Sequence, residues 1–204
     1  MTLVKICGLT TEEHVAAAVN AGADFIGFVF APSRRRIEPA DAAKLAQLIP
    51  PHIKKVGVFV NETAEQIHEI FEQVSLDYVQ YHGDETNDFI QQIGLPAIKA
   101  FSIRSNKDIE AASGYDVNFY LFDTPGTTYR GGSGHSFDWS LLQGSTITKN
   151  KTILAGGLNV ENVADAIRYV SPAAVDVSSG VEIVGIKNEQ LIAQFIAAAK
   201  GAIK

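Results

Sequence analysis

Cysteine is almost missing from this sequence, since only Cys7 among 204 residues carries a thiol. One cysteine cannot form a disulfide within the chain, and it excludes the thiolate clusters that hold zinc or iron–sulfur centres. An oxidising compartment is therefore not required, and we expect a cytoplasmic protein. The His, Asp and Glu residues do not show the spacing of metal ligands either, so the sequence predicts no bound metal and no other cofactor.

Long apolar runs and an excess of positive charge are also lacking. No run approaches the roughly 18 apolar residues of a membrane span, and the first residues do not resemble a secretory signal. The formal net charge is −6, and the one basic cluster, Arg34 to Arg36, is three residues long. We therefore expect no membrane contact and no nucleic-acid surface. An anionic small molecule remains compatible, because local geometry can override the net charge.

What the sequence does contain is a regular alternation of short apolar runs with helical patterns. The first helix should begin at a capping box of Thr10 and Glu13 and end at Gly22. The last helix should cover 188–204. The apolar runs predict eight strands, at 3–7, 24–30, 54–60, 77–83, 97–103, 118–124, 151–157 and 173–180.

Eight strands, each followed by a helix, predict a parallel sheet closed into a (β/α)8 barrel, the TIM barrel, in one α/β domain over residues 1–204. The alternative is an open, doubly wound sheet. The residues after the first strand, "ICGLTT", do not match the G-x-G-x-x-G loop that would favour it.

Active sites of such barrels lie at the carboxyl ends of the strands. Cys7 ends the first strand and shares a face with Lys5, because side chains alternate along a strand. A nearby cation lowers the pKa of a thiol, which would make Cys7 a usable base. The alternative is that Cys7 is a small buried hydrophobic residue.

Polar residues also end the sixth and fourth strands. Asp123 follows Phe119 and Leu121 on one face, and an apolar setting favours the protonated form of a carboxyl group, as a general acid requires. It could instead cap the following turn. Gln80 and His82 share a face of the fourth strand and are candidates for substrate binding, although His82 could equally be structural.

The last two strands end in loops rich in glycine and serine. "LAGGLN" contains Gly156 and Gly157, and "DVSSGVE" contains Ser178 and Ser179. Barrels frequently bind phosphate in these two loops through backbone N–H groups near helix N-termini, so we expect a phosphate site there. Asp176 shares a face with Ser178; its charge would repel a phosphate, which suits it to sugar hydroxyl groups.

Two further loops are candidates for substrate contacts. The glycine-rich residues 124–139 are interpreted as a lid over the substrate, or else as an exposed surface loop. In residues 31–39, one arginine could bind a substrate carboxylate, while the others are solvated. A thiol and a carboxyl group across the mouth of a barrel, with a phosphorylated compound between them, indicate proton transfer and hence isomerisation or epimerisation.

Several motifs together resemble one family. "KICGLT", "GFVF", "VGVFVN", "VQYHG", "FDT" with "GGSGHSFDW", "AGGLNVENV" and "VDVSSGVE" occur in order from residue 5 to about 182. They resemble phosphoribosylanthranilate isomerase of tryptophan biosynthesis. The resemblance implies an Amadori rearrangement with Cys7 as general base and Asp123 as general acid. The S-x-R-x-[IV] pattern of the family selects Arg35 as the residue that holds the anthranilate carboxylate.

Other functions remain open at this point. The chain could be another phosphosugar barrel, either an epimerase or an aldolase that forms a Schiff base through Lys5 or Lys99. It could also be a binding protein that has kept the pocket without turnover. We expect a monomer, because the sequence contains neither a repeat nor a coiled coil.

Overall fold

Eight parallel strands form a closed barrel in this computed structural model, which describes residues 1–124, 138–143 and 147–202. Each strand pairs with the next along the chain, and β1 also pairs with β8, for example Leu3 with Ala174. The predicted (β/α)8 barrel is confirmed, and the open sheet is excluded. The strands β1 to β8 are Leu3–Cys7, Phe25–Val29, Lys54–Phe59, Tyr78–Tyr81, Ala97–Ser102, Phe119–Asp123, Thr152–Leu154 and Ala174–Val177.

Seven α-helices connect and follow these strands in the described part of the chain. The sixth strand is the exception: between β6 and β7, the described residues contain two short 3₁₀ helices, Trp139–Leu142 and Lys149–Lys151, and no α-helix. The helices α1 to α7 are Glu12–Ala21, Pro39–Ala46, Ala64–Val74, Asn87–Ile93, Asn106–Ala112, Val163–Val170 and Glu189–Gly201.

The start of α1 differs from the prediction by one residue. Thr11, rather than Thr10, is the N-cap, and its hydroxyl oxygen accepts a hydrogen bond from the His14 amide at 3.3 Å. Both neighbouring threonines suit a cap chemically, and the extended backbone at Thr11 decides between them. The predicted end at Gly22 is confirmed, with a left-handed φ of 86°.

Alternation along the strands builds two apolar cores. Side chains that point outwards, such as Ile6, Ile26 and Phe122, pack under the helices. Side chains that point inwards fill the lower barrel, and they are Phe25, Val56, Ile98, Ala100, Leu121, Ile153, Ala155 and Ala174. Burying each large side chain stabilises the fold by about 1.5–3 kcal/mol, so the packed interior is a rigid base for the residues above it.

A small hairpin after β8 was not predicted. The eighth strand ends at Val177 instead of residue 180, and a 3₁₀ helix, Ser179–Val181, follows it. Strands β9, Glu182–Ile183, and β10, Ile186–Lys187, then form an antiparallel pair before α7. Its turn contains Val184 at φ 51° and Gly185 at φ 81°. A β-branched residue rarely adopts that conformation, so Val184 conceals the turn from sequence reasoning.

Every helix within residues 1–124, 138–143 and 147–202 is too short or too polar to cross a lipid bilayer. The same residues contain no group of three or more His, Cys, Asp and Glu side chains that could hold a metal ion.

Candidate active site

Polar side chains replace the apolar core at the carboxyl end of the barrel. They lie on the inward face of β1, β4, β6 and β8, directly above the packed interior. Most are buried or nearly so, and a buried polar group is costly unless it is paired. They are Lys5, Cys7, Gln80, His82, Asp123, Asp176 and Ser178, which includes six of the predicted site residues.

Lys5 and Asp176 form a buried ion pair beneath Cys7. Lys5 Nζ donates to Asp176 Oδ1 at 2.9 Å, and the two side chains are 0% and 11% exposed. The register sets this contact, because Lys5 of β1 lies opposite Asp176 of β8. Burial lowers the pKa of Lys5, but Asp176 and Cys7 outweigh burial and raise it from the ordinary 10.5 to about 12. Lys5 is therefore a permanent cation.

Lys5 acts to lower the pKa of the Cys7 thiol, as expected, but the effects that raise this pKa are larger. Burial raises the pKa of the Cys7 thiol above its ordinary value, and the charges of Lys5 and Lys187 oppose that rise without cancelling it. Asp176 contributes to the rise, because it offsets much of the positive charge of Lys5. The expectation of a net lowered thiol pKa is thus wrong for the protein without substrate.

Arg35 lies against the first strand end. A Cβ atom at Gly8 would be 2.7 Å from Arg35 Cδ, and Gly8 has a φ of +80°. The absence of a side chain at Gly8 therefore lets the chain turn after Cys7 and lets Arg35 pass close to it. The guanidinium of Arg35 forms two hydrogen bonds with Glu182, from Nε at 2.6 Å and from Nη2 at 2.9 Å.

Asp123, His82 and Gln80 form a row across the opposite side of the mouth. Gln80 Nε2 lies 3.1 Å from His82 Nδ1. His82 Nε2 lies 3.6 Å from Asp123 Oδ2, and Asp123 Oδ1 accepts from the Thr124 amide at 2.7 Å. One oxygen of Asp123 is thus fixed by a backbone amide, while the other faces His82 at the mouth.

The two glycine- and serine-rich loops meet in one small cleft, as predicted. Gly156, Gly157, Ser178 and Ser179 line it, together with Asp123 and Asp176 and the neighbouring residues Ala155, Leu158 and Val177. Helix α6 begins only at Val163, so the loops, rather than the N-terminus of that helix, line the cleft. Asp123 thus lies at the edge of the cleft that these two loops form.

Two charged residues of the hairpin belong to this site and were missed from the sequence. Glu182 and Lys187 are cross-strand partners in the hairpin, and their side chains are 3% and 4% exposed. Lys187 Nζ donates to the carbonyl oxygen of Ser178 at 2.8 Å. Glu182 is the last residue of the "VDVSSGVE" motif. Its position next to a predicted phosphate loop could have identified it as a site residue from the sequence.

The lysines proposed for Schiff-base chemistry are not suited to it. Lys5 is held protonated by Asp176, whereas an amine nucleophile must be neutral. Lys99 lies on the outward face of β5 and donates to Glu85 at 3.2 Å and to the Gly83 carbonyl oxygen at 2.8 Å. Neither can reach a substrate carbonyl as a free amine.

Other surfaces contribute less to the site. A larger cleft at the opposite end of the barrel, lined by residues such as Gln91, Asp116 and Lys151, is remote from every strand carboxyl end and does not contact the inward-facing polar residues. The proposed lid, residues 124–139, lies outside the described residues except for Thr124, Asp138 and Trp139.

Known proteins with similar sequences share this architecture. The family model for N-(5'-phosphoribosyl)anthranilate isomerase matches residues 4–198. The N-(5'-phosphoribosyl)anthranilate isomerase of Bacillus mycoides strain KBAB4 is 49% identical over 202 residues, which cover 98% of this chain and 99% of that protein.

Solved structures of phosphoribosylanthranilate isomerases are also similar to this chain. Mutually generated monomers of the dimeric phosphoribosylanthranilate isomerase from Thermotoga maritima match with a TM-score of 0.87 and 40% identity, covering 98% of this chain and 100% of that one. A phosphoribosylanthranilate isomerase in complex with reduced 1-(o-carboxyphenylamino)-1-deoxyribulose 5-phosphate matches with a TM-score of 0.87, 41% identity and the same coverage.

Proposed function

Because this chain belongs to the N-(5'-phosphoribosyl)anthranilate isomerase family, we propose that Cys7 and Asp123 are the general base and the general acid of its reaction. The enzyme converts N-(5'-phosphoribosyl)anthranilate to 1-(2-carboxyphenylamino)-1-deoxyribulose 5-phosphate in the biosynthesis of L-tryptophan. Both compounds are isomers, so the chemistry consists of proton transfers and needs no oxidant.

The reaction begins at Asp123. Its carboxyl group donates a proton to the furanose ring oxygen, and the bond from that oxygen to C1 breaks. The nitrogen lone pair forms a double bond to C1 and gives a protonated imine. Asp123 suits this step because it lies at the strand end beside the cleft that would hold the sugar phosphate.

Cys7 acts second. Its thiolate removes the proton from C2, and the electron pair forms the C1–C2 double bond while the imine becomes an amine. The enol then gains a proton at C1 and loses its hydroxyl proton to give the ketone. Burial disfavours the thiolate in the free protein, and the positive imine is the charge that offsets this cost. The order of steps follows, because that charge exists only after Asp123 has opened the ring.

The remaining candidates would hold the substrate. The backbone N–H groups of Gly156 and Gly157, with Ser178 and Ser179, bind the phosphate. Arg35 binds the anthranilate carboxylate through its planar guanidinium.

The sugar hydroxyl groups have their own set of candidates. Gln80, His82 and Asp176 face the sugar. Gln80 Oε1 supports this role: it is buried and has no hydrogen-bond partner among the described residues.

The convergence of both proton-transfer groups and both loops at one barrel mouth is the observation that carries this proposal. We further propose that residues 1–204 form one domain, since the barrel elements run from Leu3 to Gly201, and that the chain works as a monomer. A cytoplasmic location is proposed from the single unpaired cysteine.

Two substitutions test the assignment of the acid and the base. Cys7→Ser leaves a far weaker base of similar size, and Asp123→Asn removes the transferable proton. Each should lower turnover by at least about 100-fold, the scale of general acid–base catalysis. Affinity for the reduced product, measured by calorimetry, should change little. Normal turnover with weakened binding in either variant would instead make that residue a substrate-positioning group.

A further inference from the structure

Glu182 is a buried carboxylate with more cationic partners than it can neutralise. It accepts two hydrogen bonds from Arg35, one from Arg34 Nη2 at 2.8 Å and one from Lys187 Nζ at 2.7 Å. Burial alone raises the pKa of Glu182, but Arg35 and Lys187 outweigh burial and lower it below its ordinary value. Glu182 is therefore ionised, and the cluster retains net positive charge close to the site.

Glu182 occupies a defined edge of the Arg35 guanidinium. The hydrogen bonds use Nε and Nη2, so the second fork, formed by Nη1 and Nη2, is directed away from Glu182. A guanidinium has five N–H donors in a fixed plane. Because the plane is rigid, the hydrogen bonds of Glu182 with one edge also fix the direction of the other edge. That second edge can bind a carboxylate ligand through two parallel N–H groups.

Lys187 connects the same carboxylate to the phosphate cleft. Its ammonium group donates to Glu182, to the Ser178 carbonyl oxygen at 2.8 Å and to Ser178 Oγ at 3.1 Å. Ser178 Oγ in turn donates to the Cys7 carbonyl oxygen at 3.1 Å. A continuous row of polar contacts thus runs from Arg35 through Glu182 and Lys187 to Ser178 and the first strand end.

We propose that Glu182 is a positioning residue that aims Arg35 at the substrate carboxylate and, through Lys187, ties Arg35 to the phosphate loop at Ser178. The two anionic ends of the substrate are then held at a distance set by one buried network. This inference rests on the assignment of Arg35 under the proposed function. The reacting carbon atoms lie between those ends, so correct spacing places them within reach of Cys7 and Asp123.

The test compares two ligands that differ only in the carboxylate. One is the reduced product, and the other is its phenylamino counterpart without the carboxylate. Glu182→Gln keeps the size of the side chain but replaces one acceptor oxygen with an NH2 group. That group then faces the N–H donors of Arg35 and Lys187. Affinity for the reduced product should fall at least about tenfold, the scale of one hydrogen bond to a charged group, and it should fall more than the affinity for the second ligand. In turnover, KM should rise more than kcat falls.

A matched control and a rescue accompany this variant. Glu38→Gln makes the same chemical change at an exposed pair, in which Glu38 lies 3.3 Å from Arg36, and it should leave both affinities unchanged. Glu182→Asp restores the charge and should recover part of the lost affinity. Equal weakening of both ligands by Glu182→Gln would show a general loss of structure and would overturn the positioning role.

Arg35→Lys separates this inference from its premise. If Arg35→Lys removes the preference for the carboxylate and Glu182→Gln does not, the assignment of Arg35 stands and the role of Glu182 is wrong. If Arg35→Lys leaves the preference intact, the assignment of Arg35 fails and the inference fails with it. Loss of the preference in both variants supports the proposal.

Lys187→Met tests the link to the phosphate loop. It removes both contacts with Ser178, so affinity for inorganic phosphate should fall severalfold in addition to the loss at the carboxylate end. Unchanged phosphate affinity would overturn the link. Should this variant not fold, Ser178→Ala removes one of these contacts from the other side. It should then lower the ratio of the affinities for the carboxylate-bearing ligand and its counterpart, and an unchanged ratio would overturn the link.

Discussion

Cys7 shows how burial and charge compete at a single residue. Lys5 lies two positions earlier on the same face, and its charge alone would lower the pKa of the thiol, as the sequence indicates. Burial nevertheless prevails and raises that pKa, because a thiolate loses its hydration in the barrel mouth. The surrounding protein therefore favours the neutral thiol of Cys7 when no substrate is present.

The pH dependence of catalysis follows from this balance. Thiolate is the deprotonated form, so kcat/KM should increase with pH on its acidic side, up to the raised pKa of the Cys7 thiol. Lys5→Met removes the largest opposing charge, raises that pKa further, and should shift the ascending limb to higher pH. Ultraviolet absorbance of the thiolate in the free enzyme should shift in the same direction.

Lys54→Met is the control for this experiment. Lys54 forms an ion pair with Asp77 at 3.0 Å, but its side chain is 44% exposed and it begins β3 at the opposite end of the barrel. Its loss should leave the ascending limb in place. A limb that does not move in Lys5→Met would mean that another group titrates there and that Cys7 is not the base.

The loop after β7 is the element on which the proposed phosphate binding depends most directly. Gly156 has a φ of +80°, and a Cβ atom there would lie 2.5 Å from the Thr124 amide nitrogen and 3.0 Å from Asp123 Oδ1. Only glycine both adopts this backbone conformation and lets the loop approach the end of β6 so closely. The loop thus brings the phosphate cleft next to the proposed general acid.

Gly156→Ala should disrupt this element. The loop must shift away from β6, so affinity for inorganic phosphate should fall at least about tenfold, the loss expected when a charge-assisted hydrogen bond is misplaced. Turnover should fall as well, because the same shift displaces Asp123. Isothermal calorimetry and a steady-state assay measure the two effects.

Gly94→Ala separates backbone strain from this displacement. Gly94 ends α4 with a φ of +70°, and the nearest atom to an added Cβ would be 4.0 Å away. Both variants place alanine in the left-handed region, which costs about 1–2 kcal/mol. Only Gly156→Ala should lose phosphate affinity. If both variants lose it equally, general destabilisation is the cause and the close approach of the loop is unimportant.

At the scale of the whole molecule, closure of the barrel creates the site. Cys7 lies on β1 and Asp123 on β6, in different halves of the sequence, yet only β8 and β7 separate their strands around the barrel. The pairing of β1 with β8 also joins Lys5 to Asp176. An open sheet of the same strand order would place four strands between β1 and β6, and Cys7 and Asp123 could not act on one substrate.

The oligomeric state is a further property of the whole molecule. Met1, Leu48 and Tyr169 are exposed apolar residues far apart in the sequence, and among the described residues only Ile183, Val184 and Ile186 are exposed apolar residues close together in the chain. Three side chains are a small surface for a stable dimer. Sedimentation equilibrium should therefore give the monomer mass of 22.0 kDa, in contrast to the dimeric Thermotoga maritima relative. A mass of twice that value would contradict the monomer proposal.

Local patterns in the sequence determined the barrel and most of the site candidates. Strand alternation placed Cys7, Asp123 and Asp176 at inward-facing strand ends, because a period of two needs no tertiary information. The glycine and serine pairs after β7 and β8 identified the cleft, since only a few residue types allow backbone N–H groups to approach an anion. Motif order was sufficient to indicate the family.

Only the tertiary structure decided how charges balance across the site. The positions of Glu182 and Lys187 at the site depend on a hairpin. Local conformational preference does not predict this hairpin, because its turn contains Val184. The net shift in the pKa of the Cys7 thiol depends on burial and on Asp176, which the closed barrel brings from the other end of the chain. Electrostatic energies depend on distance and solvation in three dimensions, and sequence spacing contains neither quantity.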